Sequence, residues 1–131
     1  MSRLSRKRRR HYSRVKGYIG WLKGKQTEER FYQAFYLEHF EKPRWLKKIR
    51  RGTPNEDKAG IDFVAETYAR PEKIFIQIKS SEFGKKVFLR RHSRDEWEFP
   101  LIILVIDVWR FRYDAIRKEF FQTTSKLFAD A

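Results

Sequence analysis

Hydrophobic residues recur over residues 26–43 with the spacing of one face of an α-helix. Two acids follow Thr27, and this predicts a helix cap at that position with its first turn just after it. Pro43 predicts the end of the helix, because a proline cannot continue the hydrogen-bonding pattern. The apolar stripe of this helix is predicted to contain Phe31, Ala34, Phe35 and residues 37–40.

Four later stretches have the composition of β-strands. Residues 45–49 are short and strand-like, residues 61–67 alternate, and residues 74–79 are rich in β-branched and aromatic side chains. Residues 101–108 form a nearly continuous apolar run, which is typical of a strand buried on both faces.

Polar and helical patterns fill the gaps between these strands. Turn-forming residues predict a loop over residues 51–60 and a turn over residues 69–72, whereas residues 83–94 favour a helix. The order helix, strands, helix, strand, helix predicts an α/β sandwich around a central mixed sheet. A final helix is predicted from the spacing of Tyr113, Ile116, Phe120 and Leu127.

Basic residues are concentrated at the start of the chain. The 31 lysines and arginines exceed the 17 acids and give a net charge of +14. Residues 1–16 show no hydrophobic periodicity and are predicted to be a flexible basic arm, followed by a single domain over residues 17–131. Such an excess predicts a polyanionic partner, either DNA or RNA, because neutralised phosphates release counterions. The predicted phosphate contacts are Arg6, Lys7, Arg8, Arg9, Arg10, Arg14, Arg90 and Arg91.

Several classes of protein fit the composition poorly. The longest apolar run, from Pro100 to Val108, contains Asp107 and falls short of the roughly 18 residues that a membrane span needs. The chain has no cysteine, which excludes disulfides, thiol catalysis and cysteine-ligated zinc. A cytoplasmic protein that does not bind membranes is therefore the expectation.

Four polar residues are predicted to converge on one site. Side chains alternate along a strand, so Gln77 and Lys79 share a face, and Asp62 on the neighbouring strand points towards them. A carboxylate of the first helix, Glu28 or Glu29, completes the group. Oxygen ligands of this kind suit Mg²⁺ or Mn²⁺, which would activate a water while Lys79 stabilises developing charge.

Three motifs together resemble the PD-(D/E)xK nuclease superfamily over residues 24–108. The segment Gly24-Lys-Gln-Thr-Glu28-Glu-Arg looks like the first motif of archaeal Holliday-junction resolvases, and this likeness favours Glu28 over Glu29. Gly-Ile-Asp62-Phe and Gln77-Ile-Lys79 are similar to the second and third motifs. The resemblance implies a restriction-endonuclease-like αβββαβ fold and a Mg²⁺-dependent endodeoxyribonuclease. Its catalytic residues would be Glu28, Asp62, Gln77 and Lys79.

The third motif departs from the family pattern, since Gln77 stands where the family has an acid. The same variant occurs in Mrr-like endonucleases, so activity is compatible with it. The metal would be held by Glu28, Asp62 and Gln77, with weaker affinity than three acids provide and with one or two ions left open. The family's resolvases work as dimers, and a homodimer is compatible with the resemblance.

A non-catalytic protein remains an alternative. First-turn acids such as Glu28 complement a helix dipole, Asp62 suits a turn, and Lys79 suits a solvated strand end. A basic nucleic-acid-binding protein, whether a decayed nuclease fold or a ribonucleoprotein component, explains the charge equally well. Only the nuclease hypothesis accounts for the shared predicted face of Asp62, Gln77 and Lys79.

Overall fold

A computed structural model of the chain describes residues 22–37, 39–92, 97–107 and 112–129. The predicted basic arm, with its six phosphate-binding candidates, lies outside the described residues. The described part contains four helices and four strands. Helix α1 covers residues 22–36. It is followed by β1 (Leu46–Arg51), α2 (Pro54–Lys58), β2 (Phe63–Thr67), β3 (Lys73–Lys79), α3 (Glu82–Arg91), β4 (Leu101–Val105) and α4 (Tyr113–Ala129).

The four strands form one mixed sheet in the order β1-β2-β3-β4. Strands β1, β2 and β3 pair antiparallel, and in the second of these pairs Phe63 lies opposite Ile76. Strands β3 and β4 pair parallel, with Gln77 opposite Ile103, so the chain must cross over between them. Helix α3 occupies that crossover and contacts both strands. The prediction of an α/β protein with a mixed sheet is confirmed.

Apolar side chains cover the two faces of the sheet unequally. Helices α1 and α4 cover one face, where Phe31 and Phe120 are fully buried against strand residues such as Ile76. The ring centroids of Phe31 and Phe63 lie 4.7 Å apart, so α1 is anchored directly on β2. A smaller cluster on the other face contains Ile61, Val64 and Phe75 with Trp97, Phe99 and Leu101 around it. Burial of each large apolar side chain stabilises the fold by about 1.5–3 kcal/mol.

The first helix differs from its prediction at both ends. Residue 22 is already helical, so Thr27 lies inside α1 and is not its cap. The Thr27 hydroxyl donates to the carbonyl of Lys23 at 2.7 Å, which allows this side chain to be buried within a helix. The helix ends at residue 36, before Pro43, and Leu37 is 66% exposed instead of joining the apolar stripe.

The segment predicted as a polar loop contains a short helix, α2. The Thr53 hydroxyl accepts from the backbone N–H of Glu56, and the Glu56 carboxylate accepts from the N–H of Thr53. This capping box, with Pro54 in the first turn, gives even a five-residue helix a defined start. The carbonyl of Glu56 then accepts from the N–H of Ile61, so β2 begins at Phe63 and not at residue 61.

Gly60 connects α2 to the sheet in a conformation that other residues rarely adopt. Its φ is +90°, and a Cβ added there would lie 2.9 Å from Cε2 of the buried Phe88 ring. Both the positive φ and the close ring require a glycine at this position. The turn therefore carries the chain from α2 directly into Asp62.

Gly60→Ala is expected to lower the free energy of unfolding by about 1–3 kcal/mol, because it combines strain at positive φ with a clash on Phe88. Gly24→Ala is the matched control, since Gly24 lies in α1 with no atom within 4 Å of an added Cβ. It should leave stability unchanged or raise it by up to about 1 kcal/mol. Urea unfolding of both variants measures the difference, and equal stabilities would contradict the geometry described for Gly60.

Candidate metal centre where the second and third strands separate

At the end of the β2–β3 ladder, the side-chain carboxylate of Asp62 replaces a backbone carbonyl as hydrogen-bond acceptor. The backbone N–H of Asp62 donates to the carbonyl of Ile76 at 2.9 Å, and this is the last backbone hydrogen bond between the two segments. One residue pair further on, the N–H of Ile78 finds no backbone carbonyl on β2 and donates to Asp62 Oδ2 at 2.8 Å. The side chain is thereby held in a fixed orientation.

Burial raises the pKa of Asp62 to about 7. The Ile78 N–H opposes this shift, and the negative charge of Glu28 and a hydrogen bond between the two carboxyls add to it. Lys79 lowers the pKa of Asp62 only in part. Two carboxyls in contact at a partly buried position are thus under-compensated by positive charge.

The side chains of Gln77 and Lys79 complete the group. Gln77 is buried, and its amide is satisfied when the nitrogen donates to Gly60 O and to Asp62 Oδ2, the latter at 3.3 Å. Its oxygen then accepts from Lys79 Nζ at 3.2 Å. The Lys79 ammonium also lies 5.2 Å from the centroid of the Phe88 ring. The structure therefore brings Asp62, Gln77 and Lys79 into direct contact on one face.

Of the two acids at the start of the first helical motif, Glu28 faces this group and Glu29 does not. Glu28 interacts with Asp62 and lies 4.0 Å from Lys25 Nζ. Glu29 is directed to Arg51, whose Nη2 is 2.6 Å from its carboxylate. Adjacent helical residues point about 100° apart, so only one of the pair can face Asp62. The geometry agrees with the choice of Glu28 from the motif.

The oxygen atoms of this group could hold a divalent cation only by including the amide. Among the described residues there is no cluster of three or more His, Cys, Asp or Glu side chains. The donors are the carboxylates of Glu28 and Asp62 and, with its amide reversed, the oxygen of Gln77. Reversal would direct Gln77 Oε1 at Asp62 Oδ2 and the carbonyl of Gly60, an arrangement that is repulsive unless a cation lies between the oxygens. The donor set fits Mg²⁺, which accepts few protein ligands and keeps waters.

Two open grooves flank the group. One has a volume of about 430 Å³ and runs along α3 beside Gln77 and Lys79. The other, of about 620 Å³, runs along α1 beside Glu28. Cationic side chains line both: Lys58, Lys79 and Arg91 in the first, and Lys25, Arg30 and Arg51 in the second. Asp57 also lines the first groove, and Glu28 and Glu29 line the second, so cations outnumber acids in each lining, by a larger margin in the first groove.

The predicted phosphate contacts on α3 divide between two positions. Arg91 is exposed and lines the α3 groove, whereas Arg90 is exposed on the same helix but is not part of the groove lining. Lys58 and Phe83 also line this groove, and the sequence analysis missed both. Lys58 stands two residues before Gly60 in the segment predicted as a loop, so its proximity to Gly-Ile-Asp62 was the available signal.

No family model, no curated protein and no solved structure matches the chain. Within the described ranges, no helix is both long and apolar enough to span a bilayer. The superfamily resemblance accordingly rests on the three sequence motifs alone.

Asp62→Asn is expected to stabilise the protein at alkaline pH. The pKa of Asp62 is about 7 in the folded protein against 3.8 for the ordinary carboxyl, so the folded state binds this proton more tightly. The free energy of unfolding that this tighter proton binding contributes is fully present below pH ~4 and is lost as pH rises through 7. That pKa difference corresponds to roughly 4 kcal/mol at most, and partial solvent exposure reduces it, so we expect a gain of about 2 kcal/mol at pH 8.

Chemical unfolding in EDTA at pH 8 and pH 5 tests this expectation. The gain should fall to less than half of its pH 8 value at pH 5 and disappear below pH ~4, because the unfolded-state carboxyl ionises from about pH 4 upwards while the folded one stays protonated until about pH 7. Glu72→Gln is the control, because Glu72 is exposed and its carboxylate lies 3.8 Å from the exposed Arg70. A destabilised Asp62→Asn protein at pH 8 would show that the carboxylate is better compensated than its surroundings indicate.

Proposed function

We propose that the protein is a metal-dependent endonuclease that hydrolyses DNA phosphodiester bonds, built on a restriction-endonuclease-like αβββαβ sandwich. The observation that carries the proposal is the convergence of Glu28, Asp62, Gln77 and Lys79 where β2 and β3 separate. The element order α1, β1, β2, β3, α3, β4 supports this proposal, in which α2 and α4 would be additions to the fold.

The carboxylate pair supports a cation site energetically. Glu28 and Asp62 repel one another, and burial makes the ionised form of Asp62 costly. Either a proton or a divalent cation would relieve that cost, and a cation would still do so above pH 7, where Asp62 loses its proton. A bound Mg²⁺ or Mn²⁺ would polarise a phosphate and lower the pKa of a coordinated water. Glu28 and Asp62 would hold it, with Gln77 as a neutral third ligand.

Lys79 is placed to act on a phosphate next to that cation. Its ammonium is held by the Gln77 oxygen at 3.2 Å and lies over the face of Phe88. Reversal of the Gln77 amide removes the acceptor from Lys79 and presents it with an N–H group instead. Lys79 already lines the groove, where it could then stabilise negative charge that develops on the phosphate. A cation held by Gln77 would thus leave the Lys79 ammonium without its amide acceptor and able to contact a phosphate.

Charge supports a nucleic acid as the substrate. The net charge of +14 and the cations along both grooves provide a sequence-independent attraction for phosphates. Phosphate neutralisation alone does not distinguish DNA from RNA. DNA follows from the motif resemblance.

A non-catalytic nucleic-acid-binding protein is the second candidate, and one observation favours it. The hydrogen bonds of Gln77 to Gly60, Asp62 and Lys79 are complete without a metal. An acid in place of Gln77 would add a third negative charge to Glu28 and Asp62, and a cation would then be needed more strongly to offset their repulsion. A protein that has lost catalysis could keep this neutral arrangement and bind through its basic surfaces.

Asp62→Ala and Lys79→Ala are each expected to lower the cleavage rate by roughly 10²-fold or more, because one removes a metal ligand and the other a transition-state cation. Glu29→Ala is the matched control, since Glu29 neighbours Glu28 but is directed to Arg51. The assay uses linear, flapped and four-way DNA with Mg²⁺ or Mn²⁺. Wild-type rates in both variants would refute the site. An inactive wild type in Mn²⁺ would favour the binding protein.

Gln77→Glu is expected to bind Mg²⁺ more tightly, by roughly tenfold, because it adds a charged ligand of nearly the same shape. It should also lower the melting temperature in EDTA, because the amide donations to Gly60 O and Asp62 are lost and a third negative charge is added. Calorimetric titration and thermal unfolding measure the two effects. Gln77→Leu, which offers no oxygen, should weaken Mg²⁺ binding. Unchanged affinity in Gln77→Glu would show that this side chain does not contact the cation.

A further inference from the structure

A large aromatic side chain is exposed at the entrance of the α3 groove. Phe83 is 74% exposed in the first turn of α3, whereas Phe88, five residues later, is buried beneath Lys79. Five residues turn a helix by about 140°, so the two rings lie on different sides of α3. Phe88 belongs to the packing of the sheet, and Phe83 is directed away from it.

The first turn of α3 packs beside the candidate metal centre. Ser81 caps the helix by accepting from the N–H of Gly84 at 3.1 Å. A Cβ added at Gly84 would lie 3.7 Å from Cδ of Lys79, so the helix backbone rests on the lysine side chain. Phe83 is the preceding residue and lines the same groove as Lys79 and Gln77. Its ring is therefore a near neighbour of the proposed scissile phosphate.

The charges around Phe83 favour a nucleotide as the occupant of this position. Lys58, Lys79 and Arg91 line the groove with it, and Asp57 is the single acid in the lining of the described groove. Along α3 itself, Glu82 is followed by four cations, Lys85, Lys86, Arg90 and Arg91. A nucleotide combines a phosphate, which the cations attract, with a base whose face can stack on an aromatic ring. A purely apolar partner would leave the cations unsatisfied.

We infer that Phe83 stacks on an unpaired base next to the cleaved phosphate and makes the protein selective for DNA with unpaired nucleotides at that point. A base within a duplex is stacked and paired on both sides, so its face is not available to the ring. A flap, a bulge or the branch of a junction presents such a face without the cost of unstacking. Phe83 is then a specificity-determining residue. The inference rests on the proposed function in placing the stacked base next to a cleaved phosphate, whereas stacking on the ring itself needs no metal.

Phe83→Leu tests the inference, because it keeps an apolar side chain but removes the ring. Phe83→Trp retains an aromatic face. Leu89→Ala is the control, since Leu89 is 46% exposed on the same helix and does not line the groove. Binding is measured in EDTA with deoxyoligonucleotides that carry 2-aminopurine either in a single-stranded flap or within a duplex. Stacking on the ring quenches the fluorescence of the probe.

Wild type, Phe83→Trp and Leu89→Ala should bind the flap more tightly than the duplex and quench its probe. Phe83→Leu should lose the quenching and roughly 5- to 100-fold of the affinity for the flap, with duplex binding unchanged. Equal flap binding and quenching by Phe83→Leu and wild type, or no flap preference in wild type, would overturn the inference.

A cleavage assay separates this inference from the proposed function. If wild type cuts DNA in Mn²⁺ and Phe83→Leu cuts flapped and duplex substrates in the wild-type ratio, stacking by Phe83 is refuted and the nuclease stands. If wild type cuts nothing, but its flap preference in EDTA depends on the ring of Phe83, the nuclease is refuted and the stacking role stands.

Discussion

The hydrogen bond from the N–H of Ile78 to the carboxylate of Asp62 is the interaction on which the candidate site depends. Strand β2 begins only at Phe63, because the N–H of Ile61 bonds back to Glu56 of the short helix α2, and this leaves a donor of β3 without a strand partner. A buried N–H without an acceptor costs about 1–3 kcal/mol. Asp62 supplies the acceptor, so the same carboxylate that ends the ladder is fixed beside Gln77 and Lys79.

Ending a ladder with a carboxylate has an electrostatic consequence. A backbone carbonyl would have satisfied Ile78 without adding charge, whereas Asp62 brings a negative charge to a partly buried position beside Glu28. The neighbouring Lys79 lowers the pKa of Asp62 without offsetting burial. The fold therefore holds a group that is stabilised by a proton or a cation, and such under-compensated clusters are common where proteins bind metals and perform catalysis.

Sequence patterns predicted the α/β class, the mixed sheet and the face shared by Gln77 and Lys79, because alternation along a buried strand is a strong signal. They misplaced features that depend on single hydrogen bonds. Thr27 resembles a cap in sequence, yet its hydroxyl bonds back to Lys23 inside a helix. Helix α2 follows from the capping box at Thr53, a signal hidden among turn-forming residues. No local pattern could show that Phe83 lines the groove of Lys79, since that depends on how α3 docks on the sheet.

The candidate site takes one element from each side of the sheet. Glu28 comes from α1, which packs on the large apolar face, while Lys79 lies against Phe88 of α3 on the other side. These sides meet only at an end of the strands, and there the separation of β2 and β3 opens both grooves to solvent. A backbone phosphate that reaches Asp62 thus meets carboxylates from one side and cations with an aromatic ring from the other. This arrangement of carboxylates on one side and of cations with an aromatic ring on the other suits a ligand that is both anionic and aromatic. A nucleotide beside a metal ion would meet that requirement.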